Sequence, residues 1–330
     1  MVRYLITGGA GFIGSHIATA LVQRGDQVRI LDDLSTGSTK NLEHLQVCGI
    51  DRGKPVEFLR GDVTDSGVLR RACDGVRGIF HEAAQVSVPK SIEDPERSYE
   101  VNVMGTLRLL QAAATAGVDR LVFAASSAAY GNTEDLPKVE TMAPSPLSPY
   151  ASGKLAAEQL LAVWGRTHGL HTVCLRYFNV FGPRQADDSP YTGVIAIFAR
   201  ALLEGRRVTI YGDGGQTRDF SYVDNVVNAN LAAMDARDTS SFAPGEVINI
   251  GNGERISLLE LYREIARLLG STLEPQFAPD RPGDVRHSLA SIAKARRLLG
   301  YEPAVGWREG LARTVEWYRE RHSRARAAVG

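Results

Sequence analysis

Residues 3–25 read RYLITGGAGFIGSHIATALVQRG: an apolar run, a cluster of glycines, then a helical pattern stopped by another glycine. No other stretch restricts the fold as tightly. Gly8, Gly11 and Gly14 fall at G-x-x-G-x-x-G spacing. After a strand and before a helix, such glycines let backbone N–H groups approach a pyrophosphate at the helix N-terminus. A tight turn that is merely glycine-rich would show the same letters. The strand–turn–helix frame favours phosphate binding, and so does Asp32, which ends the second apolar run eighteen residues after Gly14. A carboxylate there accepts from adenosine ribose hydroxyls and repels a 2′-phosphate, which points to NAD over NADP. Asp62, closing the third apolar run, reads either as an adenine contact or as a helix cap.

Short apolar runs at 3–8, 27–32, 56–62, 78–83, 120–126 and 171–177 alternate with helical stretches such as GSHIATALVQRG and VNVMGTLRLLQAAATAG. Strands alternating with helices predict a parallel sheet covered on both faces. The expected fold class is α/β, a Rossmann-type doubly wound parallel sheet with a smaller, mixed α/β C-terminal substrate domain. The rhythm breaks near residue 180, which divides the chain into 1–180 and 181–330. ERISLLELYREIARLLG and SIAKARRLLG read as helices there, and RRVTIYGDG and GEVINIGN as isolated strands, one of which could return to the main sheet. Loops at 132–149, with four prolines, and at 182–193, with two, have lengths that suit substrate-binding segments.

Bulk properties remove several classes of function. Lys plus Arg and Asp plus Glu both number 38, so net charge is zero and no nucleic-acid or membrane-surface partner is expected. The basic run RERHSRARAA at 319–328 reads as a solvated or frayed tail. Cys48, Cys73 and Cys174 are odd in number and widely spaced, against both a disulfide framework and a metal site. With no apolar run near the roughly 18 residues of a membrane helix, a reducing, cytoplasmic setting is expected.

Residues 147–161, LSPYASGKLAAEQLL, place Tyr150 and Lys154 one helical turn apart. Alone, the pair is a common coincidence: the lysine could solvate a surface helix, or it could lower the phenol's pKa until it serves as a base. In the same chain stand TGGAGFIG, FAASSAAYG, SPYASGK, LRYFNVFGPR, YGDGGQTRDFSYVDN and RPGDVRHS. Together, across nearly the whole length, they resemble the extended short-chain dehydrogenase/reductase family. The resemblance implies that Tyr150 and Lys154 are the catalytic pair and Ser126 their hydroxyl partner. It places Phe12, Ile13, Val63, Asn102 and Tyr177 with the glycines and aspartates on the cofactor side, core packing being an even alternative for Tyr177. Lys154 and the positive nicotinamide ring are expected to favour the Tyr150 phenolate.

Dehydratases and decarboxylases of this family carry an acid two residues after the Ser126-type hydroxyl; this chain has Ala128. The resemblance is therefore to the UDP-hexose 4-epimerases. It implies a redox-neutral reaction: hydride to bound NAD, a 4-keto intermediate, rotation in the pocket, and hydride return to the other face. It further implies that Asn179, Arg218, Arg281 and Asp284 hold the nucleotide of a UDP-sugar, with salt-bridge roles open for the two arginines. Ser87 could touch the sugar or cap a loop. Ser288 is small where a tyrosine would restrict the pocket to plain hexoses, which favours UDP-N-acetylglucosamine and UDP-N-acetylgalactosamine beside UDP-glucose and UDP-galactose. UDP-glucuronate is the alternative, with Arg184 either pairing its carboxylate or simply solvated. Val86 stands where plain galactose epimerases often place a lysine near the nicotinamide. Relatives commonly pair through two helices per subunit, so a homodimer is expected through 100–117 and 150–165.

Overall fold

The computed structural model describes residues 2–49, 55–186, 193–236, 241–280 and 285–327. Eight strands form one sheet: β1 Arg3–Thr7, β2 Gln27–Asp32, β3 Val47–Cys48, β4 Val56–Arg60, β5 Gly78–His81, β6 Arg120–Ser126, β7 His171–Tyr177 and β8 Glu246–Ile250. They lie in the order β8-β7-β6-β5-β1-β2-β4-β3, every neighbour parallel. The chain runs outward one way from β1 through β2 to β4, then returns to β5 and runs outward the other way. Between β1 and β5 lies the switch point, where ligands of such sheets collect outside the C-terminal strand ends.

Side chains alternate between the two faces as strand geometry requires. Ile6, Ile30, Val122 and Ala124 face one core with helices α1 (Phe12–Gln23) and α5 (Val223–Asp235). Leu5, Leu31, Leu121 and Phe123 face the other, with α2 (Ser66–Cys73), α3 (Thr106–Thr115) and α4 (Pro149–His168). That is the doubly wound arrangement the alternating sequence predicts. A buried ion pair joins two of its strands: Arg29 lies opposite Glu57 in the β2–β4 register and donates to it at 2.8 Å. Its Nη1 satisfies the carbonyls of Arg71, Ala72 and Asp74 at the end of α2, so the buried guanidinium is fully partnered.

GEVINIGN does return to the main sheet, as β8 paired with β7. RRVTIYGDG yields Thr209–Tyr211, paired in parallel with Gln276–Ala278 in a two-stranded sheet of its own. The basic stretch after residue 319 is no frayed tail. It continues the helix α7, Trp307–Ala327, in which Arg319 pairs with Glu316 and donates to the carbonyl of Leu268, and Arg324 pairs with Glu320. Spaced charges that satisfy one another along a helix read in sequence as a solvated run. Among the described residues, no helix is long and apolar enough to cross a membrane.

Candidate active site

At the switch point, Gly8 adopts φ +68° and an added Cβ would lie 2.7 Å from the Ala83 backbone nitrogen. Glycine there is what allows the ends of β1 and β5 to come together. A side-chain relay holds them: the Ala83 N–H donates to Thr7 Oγ1, Thr7 meets His81 Nδ1 at 2.7 Å, and His81 Nε2 meets Thr106 Oγ1 at 2.9 Å. Thr106 in turn donates to the carbonyl of Asn102, which assigns the imidazole hydrogen to Nε2. Burial lowers the His81 pKa to about 3, so the ring stays neutral and structural.

A cavity of about 1600 Å³ opens over these strand ends. Ligand pockets for one small molecule run to about 300–1,000 Å³, so this one has room for a dinucleotide and a second ligand. Gly8, Gly11, Phe12, Ile13, Gly14, Asp32, Asp62 and Val63 all line it, as the sequence predicts. Gly11 is the N-cap of α1 with no side-chain capping bond, and the first turn carries no acidic residue, which leaves a positive helix end facing the cavity. The Asp32 carboxylate accepts from the N–H groups of Ala10 and Leu34 at 2.9 and 2.8 Å, locking the glycine loop to the end of β2. These features fit NAD. The loop is also sterically saturated: a Cβ at Gly14 would sit 2.4 Å from the Gly8 carbonyl oxygen. Backbone must therefore move in Gly14→Ala. We expect about 1–3 kcal/mol of strain and protein purified with most of its NAD lost; a stoichiometric NAD content by extraction would contradict that.

At the other end of the cavity stand Ser126, Tyr150 and Tyr177. Ser126 closes β6, and its Oγ accepts from the Ala128 N–H at 3.2 Å. Pro149 starts α4 behind the Ser148 cap, which delivers Tyr150 at its mouth and Lys154 one turn inside. Burial raises the Tyr150 pKa, and a hydrogen bond with Ser126 partly offsets it. The Lys154 ammonium donates to the Ala124 carbonyl at 2.8 Å and lies 4.7 Å from the Phe123 ring centroid. Burial lowers the Lys154 pKa to about 8, opposed by Glu82 and Glu158.

The remaining candidate residues divide between the cavity wall and its surroundings. Asn102 is off the cavity wall: its side chain accepts from the Gln85 N–H at 2.9 Å and donates to the Gln85 carbonyl at 3.1 Å, bracing the segment after β5 from behind. Asp62 caps Thr64 and pairs with Arg97 at 2.6 Å, leaving helix capping to Asp65. Ser87 lines the cavity and caps a short helix by accepting from the Lys90 N–H. Asn179 lines the cavity and donates to the Asp219 carbonyl at 2.8 Å. Arg218 does not line it; its Nη1 donates to the carbonyls of Thr217 and Arg286. Ser288 lies on the adjacent segment, its N–H bonded to the Thr217 carbonyl at 3.1 Å. Arg281 and Asp284 lie outside the described residues.

Arg184 lines the cavity, and its guanidinium is bonded rather than simply solvated: Nη1 donates to Ser15 O and Thr19 Oγ1 at 3.0 Å each, and Nη2 meets His44 at 3.3 Å. Those bonds tie the 182–186 loop to α1. Sequence reasoning missed three features. Glu82 faces the cavity from the end of β5, where a charge following an apolar run was the available signal. Asp219, inside a quoted motif, accepts from Asn252, Gly253 and Ala290 N–H groups and joins three segments. Trp317, Glu320, Arg321 and Arg324 bring α7 to the cavity rim.

A switch-point glycine cradle, Asp32, Ser126 and Tyr150 around one cavity, with Lys154 one helical turn behind Tyr150, fit an NAD-dependent enzyme of the short-chain dehydrogenase/reductase type. Residues 4–251 match the model of the NAD dependent epimerase/dehydratase family, and the chain belongs to that family. It is 40% identical over 324 residues to a UDP-glucose 4-epimerase of Mycolicibacterium smegmatis, spanning 97% of this chain and 99% of the relative. Among solved structures it resembles the Thermus thermophilus UDP-glucose 4-epimerase in complex with NAD, with TM-score 0.84, 40% identity, and coverage of 96% and 99%. It also resembles the UDP-N-acetylglucosamine 4-epimerase of Methanobrevibacter ruminantium, with TM-score 0.89, 35% identity, and coverage of 97% and 99%.

Proposed function

We propose that the protein is a UDP-sugar 4-epimerase acting on UDP-N-acetylglucosamine and UDP-N-acetylgalactosamine, and on UDP-glucose and UDP-galactose. The carrying observation is the catalytic cluster itself: one hydroxyl, one phenol and one ammonium, with Ala128 contributing only its N–H. Tyr150 takes the proton of the sugar 4-hydroxyl, directly or through Ser126, and gives it back after the 4-keto sugar has turned. When bound, NAD supplies the hydride acceptor at C4 and, oxidised, a positive ring charge that favours the phenolate. One proton and one hydride leave and both return, so the reaction consumes no reductant.

The bonds from Arg184 to Ser15 and Thr19 weigh against the uronate reading, in which Arg184 would pair with the sugar carboxylate. Ser288 favours the N-acetylated sugars by resemblance to the epimerases, in which a small side chain at that position leaves room for a 2-acetamido group. Ser288→Tyr is expected to lower kcat/KM for UDP-N-acetylglucosamine about 100-fold, within the range that pocket exclusion can supply, while UDP-glucose conversion stays within about threefold. Equal losses on both sugars, or conversion of UDP-glucuronate alone by the unaltered protein, would overturn the substrate assignment. Ile92, Tyr99, Met104 and Val163 keep exposed apolar side chains on or beside the helices expected to pair, which supports a homodimer. A monomeric mass by light scattering would contradict it.

A further inference from the structure

We infer that Glu82 sets the redox poise of the bound cofactor: its carboxylate, fixed at the catalytic end of the cavity, favours the oxidised, positively charged nicotinamide over the reduced, neutral one. Three features place it there. Glu82 directly follows β5, at the switch point, and lines the same cavity as Ser126 and Tyr150. The β6–β7 register sets Tyr177 beside Ser126, and the Tyr177 hydroxyl donates to Glu82 Oε1 at 3.0 Å. Asn230, on α5, donates to the same hydroxyl at 2.8 Å, so a buried amide–phenol chain orients the carboxylate from below.

Lys154 faces Glu82 from α4, its ammonium bonded to the Ala124 carbonyl. Glu158 is held by Arg176, which leaves Glu82 and Lys154 to each other, so removing the carboxylate leaves the ammonium uncompensated beside the cofactor and shifts its poise further toward the neutral, reduced ring. His81 next door is neutral. Within residues 82–87, Glu82 is the one ionisable side chain, and the neighbouring wall is Ala83, Ala84 and Val86. Burial raises the Glu82 pKa to about 7, with Tyr177 and Lys154 pulling the other way, so a substantial part of the population is ionised at neutral pH. A fixed negative charge at that position acts on the nicotinamide because its ring carries a full positive charge in one redox state and none in the other. In an epimerase, which is the reading this inference extends, the reduced state need persist only while the keto sugar is held. A carboxylate there drives the hydride back.

The test uses the holoenzyme and no sugar, so it stands apart from the substrate assignment. Protein with its retained cofactor is equilibrated anaerobically with a redox dye whose reduced form supplies the two electrons, and bound NADH is read at its near-ultraviolet absorbance. At fixed dye potential, E82Q is expected to raise the ratio of bound NADH to NAD about tenfold, about 30 mV for a two-electron couple. E82S, a second neutral variant, carries the same expectation, and E82D, which keeps the charge, stays within about twofold of the unaltered protein. Ratios for E82Q and E82S within about twofold of the unaltered protein would overturn the inference. So would an equal shift in E82D, which would assign the effect to packing.

Discussion

Tyr150→Phe is expected to lower 4-epimerisation about 10³-fold, inside the 10²–10⁴ range of a lost general acid–base group, with fold and NAD content unchanged. The phenol oxygen is the group that links Ser126 to proton transfer. Ser126 Oγ already accepts from the Ala128 N–H, and Lys154 Nζ is turned to the Ala124 carbonyl. The same geometry fixes a pH limb. Lys154 has its pKa lowered to about 8 by burial, so its positive charge is complete below that pH and lost above it. Activity of the unaltered protein should therefore fall on the alkaline side near pH 8, as a plot of kcat against pH would show. A Tyr150→Phe variant within tenfold of the unaltered rate would assign the proton transfer to another group.

Glu158→Ala is expected to cost about 3–5 kcal/mol of stability, the usual consequence of leaving one member of a buried ion pair without its partner. Glu158 accepts from Arg176 Nε at 2.9 Å and Nη2 at 2.7 Å, and the two side chains are only 2% and 4% exposed. The Arg176 guanidinium also lies 4.7 Å from the Tyr130 ring centroid, so neither it nor the carboxylate can turn to water. This pair bolts α4 to β7, and α4 carries Tyr150 and Lys154. The loss should appear as a lower urea midpoint and as weaker catalysis together. A cost under about 1 kcal/mol would mean the pair is solvated in solution.

The first half of the chain was legible because buried parallel strands are written as short apolar runs and each intervening helix ends at a glycine. What escaped was nonlocal or short. The edge strand Val47–Cys48 has two residues, too few for any period to register. Pairing of Glu246–Ile250 with His171–Tyr177 joins segments nearly seventy residues apart, which no local pattern encodes. In the site, residue types were readable and destinations were not. Tyr150 and Ser126 reached the cavity because a helix start and a strand end deliver them there. Arg184 went to Ser15 and Thr19 because the 182–186 loop lies against α1, a contact visible only once the chain is folded. The solvated reading of the charged end of α7 holds and the frayed one does not, because its arginines find partners on their own helix and on α6 (Leu258–Leu269).

In the proposed reaction hydride leaves C4 and returns to the same carbon without exchange. UDP-N-acetylglucosamine deuterated at C4, incubated with purified protein and no added NAD, tests this. The expected product is inverted at C4 and retains its deuterium, with no free NADH and no loss of water or carbon dioxide. Washout of the deuterium into solvent, or turnover only when NAD is supplied stoichiometrically, would contradict it.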